Sequence, residues 1–249
     1  MLRNLITRHR LALALIPLAF ALASCSEAGN PVSVVPAPSA VPAGAVAMVG
    51  DTKVTDAEYE DALKGGLAGI DPLAPTRAVP EPLDPPRFRE CVASLEARAR
   101  REPDLRGLDD EAFLDSCRQR YDQLRSQVLS RLIEERWVLV EADLEGLTVT
   151  DQEVNALIGQ IRLSWAADRA QARKRFRQAV VISGTSPREL RIRAEAVVLQ
   201  SRLSALRSAA EEGDAPTPEE VRSAGQERFD TWRSKTLCSD DLLVQQCSN

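Results

Sequence analysis

The residues predict a mainly α fold, with one short N-terminal strand and turn followed by helices built around a long amphipathic one. Three observations carry this prediction. Ala, Leu, Arg and Glu are abundant while aromatics make up 4% of the 249 residues, a mixture that favours helix over sheet. Apolar residues recur at three- and four-residue steps over long stretches, which is the period of a helix face. Four stretches open with a Ser or Thr three residues before a Glu: Thr55-Asp56-Ala57-Glu58, Thr150-Asp151-Gln152-Glu153, Ser186-Pro187-Arg188-Glu189 and Thr217-Pro218-Glu219-Glu220. In that spacing the hydroxyl and the carboxylate satisfy each other's free backbone amides at a helix start.

The elements follow in order. Residues 1–10 carry Arg3, Arg8 and Arg10 and no acid, and Leu11 to Leu22 is apolar apart from Pro17. A basic start, a short apolar run and small residues behind it read as an export signal over 1–24. Twelve residues are too few to span a bilayer, which needs about twenty. Residues 26–44 are rich in Pro, Ala, Ser and Val and read as a tether reaching about 60 Å at roughly 3.1 Å per residue. Ala45 to Val54 suggests a strand and turn through Gly50-Asp51, and a helix from Asp56 to Leu67 follows. Glycines and six prolines between Gly65 and Arg87 predict an extended surface loop, since proline at that density excludes helix interiors and sheet centres.

A helix over Phe88 to Arg101 carries Cys91. The strongest periodicity runs from Asp109 to Glu145, with Tyr121, Leu124, Val128, Leu132, Leu129, Ile133, Trp137, Val140 and Leu144 at helical steps, and Gly146 ends it. Further helices are expected from Thr150 through Ile161, from Arg169 to Val181, from Ser186 to about Glu212, and from Thr217 to near Trp232. The folded domain is therefore expected over 45–212, with a last helix and a cysteine-bearing tail over 213–249.

Charge and cysteine usage bound the function. Without Arg3, Arg8 and Arg10 the basic residues number 29 against 37 acidic ones, a net charge of about −8. Nucleic acid is not an expected partner of such a surface. Setting Cys25 aside, Cys91, Cys117, Cys238 and Cys247 remain, an even number that allows three pairings. Cys91–Cys117 and Cys238–Cys247 are the expected disulfides because each closes a local loop. A four-cysteine zinc site is the rival, disfavoured by the lack of any CxxC spacing.

Leu22-Ala23-Ser24-Cys25 resembles the lipobox of bacterial lipoproteins. The resemblance implies cleavage before Cys25, acylation there, and anchorage of an extracytoplasmic protein to a membrane. By family habit Ser26 directs it to the outer membrane where the cell has one. A second resemblance covers most of the remaining chain. Ala47-Met48-Val49-Gly50-Asp51-Thr52-Lys53-Val54-Thr55-Asp56-Ala57-Glu58-Tyr59 resembles the opening of SurA- and PrsA-type foldases, with Gly50-Asp51 where that family usually has Asn-Gly. Val128 to Trp137 resembles the family's long helix, and Gly146-Leu147-Thr148-Val149-Thr150-Asp151-Gln152-Glu153-Val154 its following turn.

That resemblance implies a SurA N-terminal-like helical domain and, as partners, unfolded or nascent exported polypeptides. Such foldases carry a parvulin domain of about ninety residues with paired histidines. Thr217 to Asn249 is 33 residues and the one histidine, His9, lies in the signal, so prolyl isomerase activity is not expected. With no histidine after residue 24 there is no Ser-His-Asp or Cys-His pair, and no cofactor or metal is implied. The expected activity is that of a holdase, with prolyl isomerase or a dedicated envelope-interaction protein as alternatives. Its client groove is expected among Trp137, Val140, Ile161, Trp165 and Phe176, each of which reads more readily as a core residue. The run Arg169, Arg173, Lys174, Arg175, Arg177 reads as a solvated helix face, with an anionic lipid or cell-wall polymer site as the alternative.

Overall fold

A computed structural model describes residues 35–75, 82–102, 107–210, 217–242 and 244–248. The chain divides into Met1–Ser33 and Val34–Asn249, and every described residue belongs to the second unit. The export signal, Cys25 and the first part of the tether lie outside the described residues.

Seven helices and a small sheet make up the described fold. The strands β1 (Ala45–Val49) and β2 (Thr52–Thr55) form an antiparallel hairpin. Gly50 turns it with φ +54°, which favours glycine, and a Cβ there would press on Val35 Cγ1. Val35 itself packs on the core. The end of the expected tether is thus held against the domain, because an apolar side chain finds a glycine-sized opening. Thr55 caps α1 (Asp56–Leu67) through a complete capping box, and the Glu58 carboxylate continues to Arg136 Nη2 at 2.8 Å.

Helix α2 (Arg89–Ala99) is capped from outside its own turn, by the Asp84 carboxylate accepting the Glu90 and Cys91 amides at 3.1 and 3.0 Å. Asp109 caps α3 (Asp110–Leu144), whose 35 residues run about 52 Å at roughly 1.5 Å per residue. The helices α4 (Asp151–Ser164), α5 (Arg169–Ser183), α6 (Pro187–Ala210) and α7 (Pro218–Arg233) follow. Thr150 and Thr217 form capping boxes, and the Ser186 hydroxyl accepts the Glu189 amide. Each helix expected from the sequence is present, within about three residues at its described ends.

Three features differ from the sequence reading. A third strand, β3 (Thr236–Cys238), returns from the C-terminal end to pair with β1, giving the order β2-β1-β3. The expected surface loop from Gly65 begins later, since Gly65–Leu67 complete the last turn of α1, and its Pro72 is fully buried. Residues 76–81 of that loop lie outside the described residues. The buried stripe of α3 doubles in width in its middle, where Val128, Leu129, Leu132, Ile133, Arg136 and Trp137 are all buried. There the helix is covered on two sides, by α1 and by the sheet.

The cysteines pair as Cys91–Cys117 and Cys238–Cys247. The first joins α2 to α3 inside a small core of Phe88, Leu95 and Phe113. It closes a loop over a separation of 26 residues, worth on the order of 3 kcal/mol in the chain-entropy account. Cys91→Ser with Cys117→Ser is expected to lower stability by about that amount in urea denaturation. An unchanged midpoint would mean that α2 is held by its core contacts alone.

Candidate functional site

The end of α1 carries Gly65 and Gly66, and their lack of side chains sets how closely helices meet. A Cβ on Gly66 would lie 2.9 Å from Leu124 Cδ1 of α3, and one on Gly65 3.2 Å from the Ser183 carbonyl of α5. Past these glycines α1 ends and the chain runs on through Gly69, Ile70, Asp71 and Pro72. An opening of about 370 Å³ is left beside the turn, lined by Ala62, Ile70, Leu124 and Val128 with Arg131, Glu189 and Arg193 among its polar groups.

The segment from Ile70 to Pro75 forms the wall of this opening and is tied at two points. Arg193, from α6, donates to Asp71 Oδ2 at 2.7 Å and to Glu135 Oε1 at 3.2 Å. From the other side the Trp165 indole N–H donates to the Pro72 carbonyl at 3.2 Å. Behind Trp165 lies a second opening of about 670 Å³ between α4 and α5, lined by Ile70, Pro75, Trp165, Ala179 and Ile182 among others. Ile70 faces both openings.

The charges at the wall form one buried cluster. Arg193 and Glu135 are largely shielded from water, and Arg131 gives Glu135 Oε1 a second partner at 3.0 Å. Glu135 Oε2 is buried with no partner among the described residues. Burial raises the Asp71 carboxyl, but the Arg193 hydrogen bond and charge outweigh it, and its pKa lies below the usual value of 3.8. Burial likewise raises Glu189, and there it prevails over the attraction of Arg193 and Arg131, so that carboxyl sits above its ordinary range. Aliphatic lining with a charged floor suits a peptide segment, whose side chains are apolar and whose backbone needs donors and acceptors.

Residues 89–204 match the family described as the SurA-like N-terminal domain. Over those residues, just under half of its length, the chain is similar to that family. The match begins at α2 and ends inside α6, so the hairpin and α1, which carry part of the resemblance read from the sequence, lie outside it. No curated protein and no solved structure matches the chain.

Within the SurA-like domain the wall is built by Glu135, Trp165 and Arg193, and from outside it by Ile70, Asp71 and Pro72. Of the residues expected to bind a client, Trp165 lines the second opening. Trp137 is 6% exposed, in the core with Val140 packed beside it, and Phe176 is 7% exposed on the inner face of α5. Neither Trp137 nor Phe176 offers surface to a ligand in this conformation. Ile161 is half-buried on α4.

Ile70, Asp71 and Arg193 were not foreseen as site residues. A signal for Arg193 exists, because it falls on the buried stripe of α6 with Leu190, Ala194 and Leu203. An arginine there must find a buried acid. Arg136 of α3 shows the same signature, and its partner is Glu58. Among the described residues no helix is long and apolar enough to cross a membrane.

Proposed function

We propose that this chain is an extracytoplasmic, lipid-anchored holdase that binds apolar segments of unfolded exported polypeptides in the two openings flanking Ile70–Pro75. The observation that carries the reading is the shared wall. A mainly aliphatic opening and a mixed one, in which Ile70, Pro75, Trp165 and Ile182 stand among Gln171, Arg175 and Gln178, meet at one half-buried isoleucine, so an extended segment crossing that wall places successive side chains in each. Binding of this kind draws on burial of apolar surface, about 25 cal/mol per Å², and tolerates many sequences. The SurA-like domain over 89–204 supports the same reading, as does the resemblance of Cys25 and the residues before it to a lipobox.

The test is light scattering of a chemically denatured client diluted into Ser26–Asn249. Suppression of aggregation near equimolar amounts is expected. Ile70→Asp, which puts a charge into both openings, is expected to weaken suppression several-fold while the thermal melt stays within a few degrees of the parent. Full suppression by the Asp variant would move the client site elsewhere. No suppression by the parent would favour a dedicated envelope partner.

A further inference from the structure

Helix α5 is charged against the pattern of the other six. Every other helix has an acid in its first turn, where the helix dipole favours it, whereas α5 has none. Its 15 residues hold Arg169, Arg173, Lys174, Arg175 and Arg177 and no acid, with Asp168 just outside as the cap. All five cations are exposed, and none pairs with an acid among the described residues.

Elsewhere helix cations meet acids three or four residues away, as in Lys64–Asp61, Arg98–Glu102, Arg118–Asp115 and Arg131–Glu135. Arg169, Arg173 and Arg177 instead repeat like charge at four-residue spacing, which weakens a helix. The same stripe continues one turn on to Val181, which is 78% exposed, while Ile182 beside it turns toward the second opening.

We infer that the outer face of α5 docks on an anionic lipid surface. Cations alone would serve any polyanion. Val181, exposed at the end of the stripe, gains only where there is an apolar layer to enter, and the headgroup–acyl boundary supplies both. The chain's net charge of −5 opposes an anionic surface as a whole. The attraction is therefore local, acting within a Debye length of about 10 Å in ordinary salt. Lys174 lies on the same outer side, while the buried face of the helix, Ala172, Phe176 and Ala179, is committed to the bundle. The inference needs neither the lipid anchor nor the holdase reading.

The experiment is co-sedimentation of Ser26–Asn249, which lacks the leader and Cys25, with vesicles of equal phosphatidylglycerol and phosphatidylcholine or of phosphatidylcholine alone. Binding to the anionic vesicles alone is expected, weakening as salt rises. Arg173→Gln, Lys174→Gln and Arg177→Gln together are expected to reduce it about a hundredfold, at roughly 1 kcal/mol per cation. The melt and the aggregation assay should be unchanged, because these side chains are exposed and pair with no acid among the described residues. Val181→Asp is expected to weaken vesicle binding but to leave binding of inorganic polyphosphate, a soluble polyanion, as it was. Equal binding of the triple variant, or of neutral vesicles, would overturn the inference. So would Val181→Asp binding the anionic vesicles as the parent does, which would leave a site for soluble polyanions.

Discussion

Arg193→Ala is expected to destabilise the folded chain by about 3 to 5 kcal/mol, the usual cost of removing one partner from a buried ion cluster. Arg193 is 7% exposed and serves two carboxylates at once. Without it Asp71 loses the one ion-pair partner it has among the described residues, and of those Glu135 keeps Arg131. Urea denaturation reads the loss directly. Arg193→Met with Glu135→Leu, which removes a positive and a negative charge together, is expected to recover part of it.

The pH dependence supplies an independent reading. In the parent, Asp71 has a folded pKa below its unfolded value, so its contribution is present above that unfolded value and lost as pH falls through the folded one. In the alanine variant burial is left without the arginine that outweighs it, and protonation relieves the site. The gap between parent and variant should be widest near neutrality and narrow as pH falls through the carboxylate range. A gap independent of pH would mean that Arg193 acts by packing and not through Asp71. The wall should also loosen in the variant, with faster amide exchange at Leu73, whose N–H is held by the Asp71 carboxylate at 2.9 Å.

Trp137→Ala carries the second large expected effect, about 3 to 5 kcal/mol for emptying a buried aromatic site. The indole meets Phe229 of α7 edge-on at 5.6 Å and donates to Thr236 Oγ1 at 2.9 Å. The Thr236 hydroxyl in turn donates to the Trp232 carbonyl at 2.8 Å. One side chain of α3 thus holds both α7 and the start of β3. Trp137→Phe keeps most of the apolar bulk and loses the hydrogen bond, an expected cost of about 1 kcal/mol. Exchange of the Ser239 amide, which bonds the Val46 carbonyl at 2.9 Å, should quicken far more in the alanine variant than in the phenylalanine one. Equal stability of Trp137→Ala and the parent would show that the C-terminal strand is held by other contacts.

Much of the helical frame was legible in the residues because its causes are local. A capping box needs a Thr and a Glu three residues apart, and those at Thr55, Thr150 and Thr217 start helices where the spacing says they should. The disulfides follow the shortest loops because nearby cysteines meet at least entropic cost. The α2 cap escaped notice because Asp84 reaches six and seven residues forward, outside any standard spacing.

The sequence by itself determined which stretches are helical and about where each begins, because each depends on neighbours a few residues away; among the three cysteine pairings it allowed, loop length favoured the one the structure shows. The tertiary structure alone decided the third strand, since Thr236–Cys238 is three residues long and becomes a strand only through β1. It also decided which aromatic is core and which lines an opening, Trp137 inside α3 against Trp165 just past the end of α4, because that depends on which distant elements pack over each. The wall at Ile70–Pro75 was least legible of all. Its ties join residues 93 and 122 positions apart, and nothing local distinguishes a proline loop held by a buried arginine from one left in water.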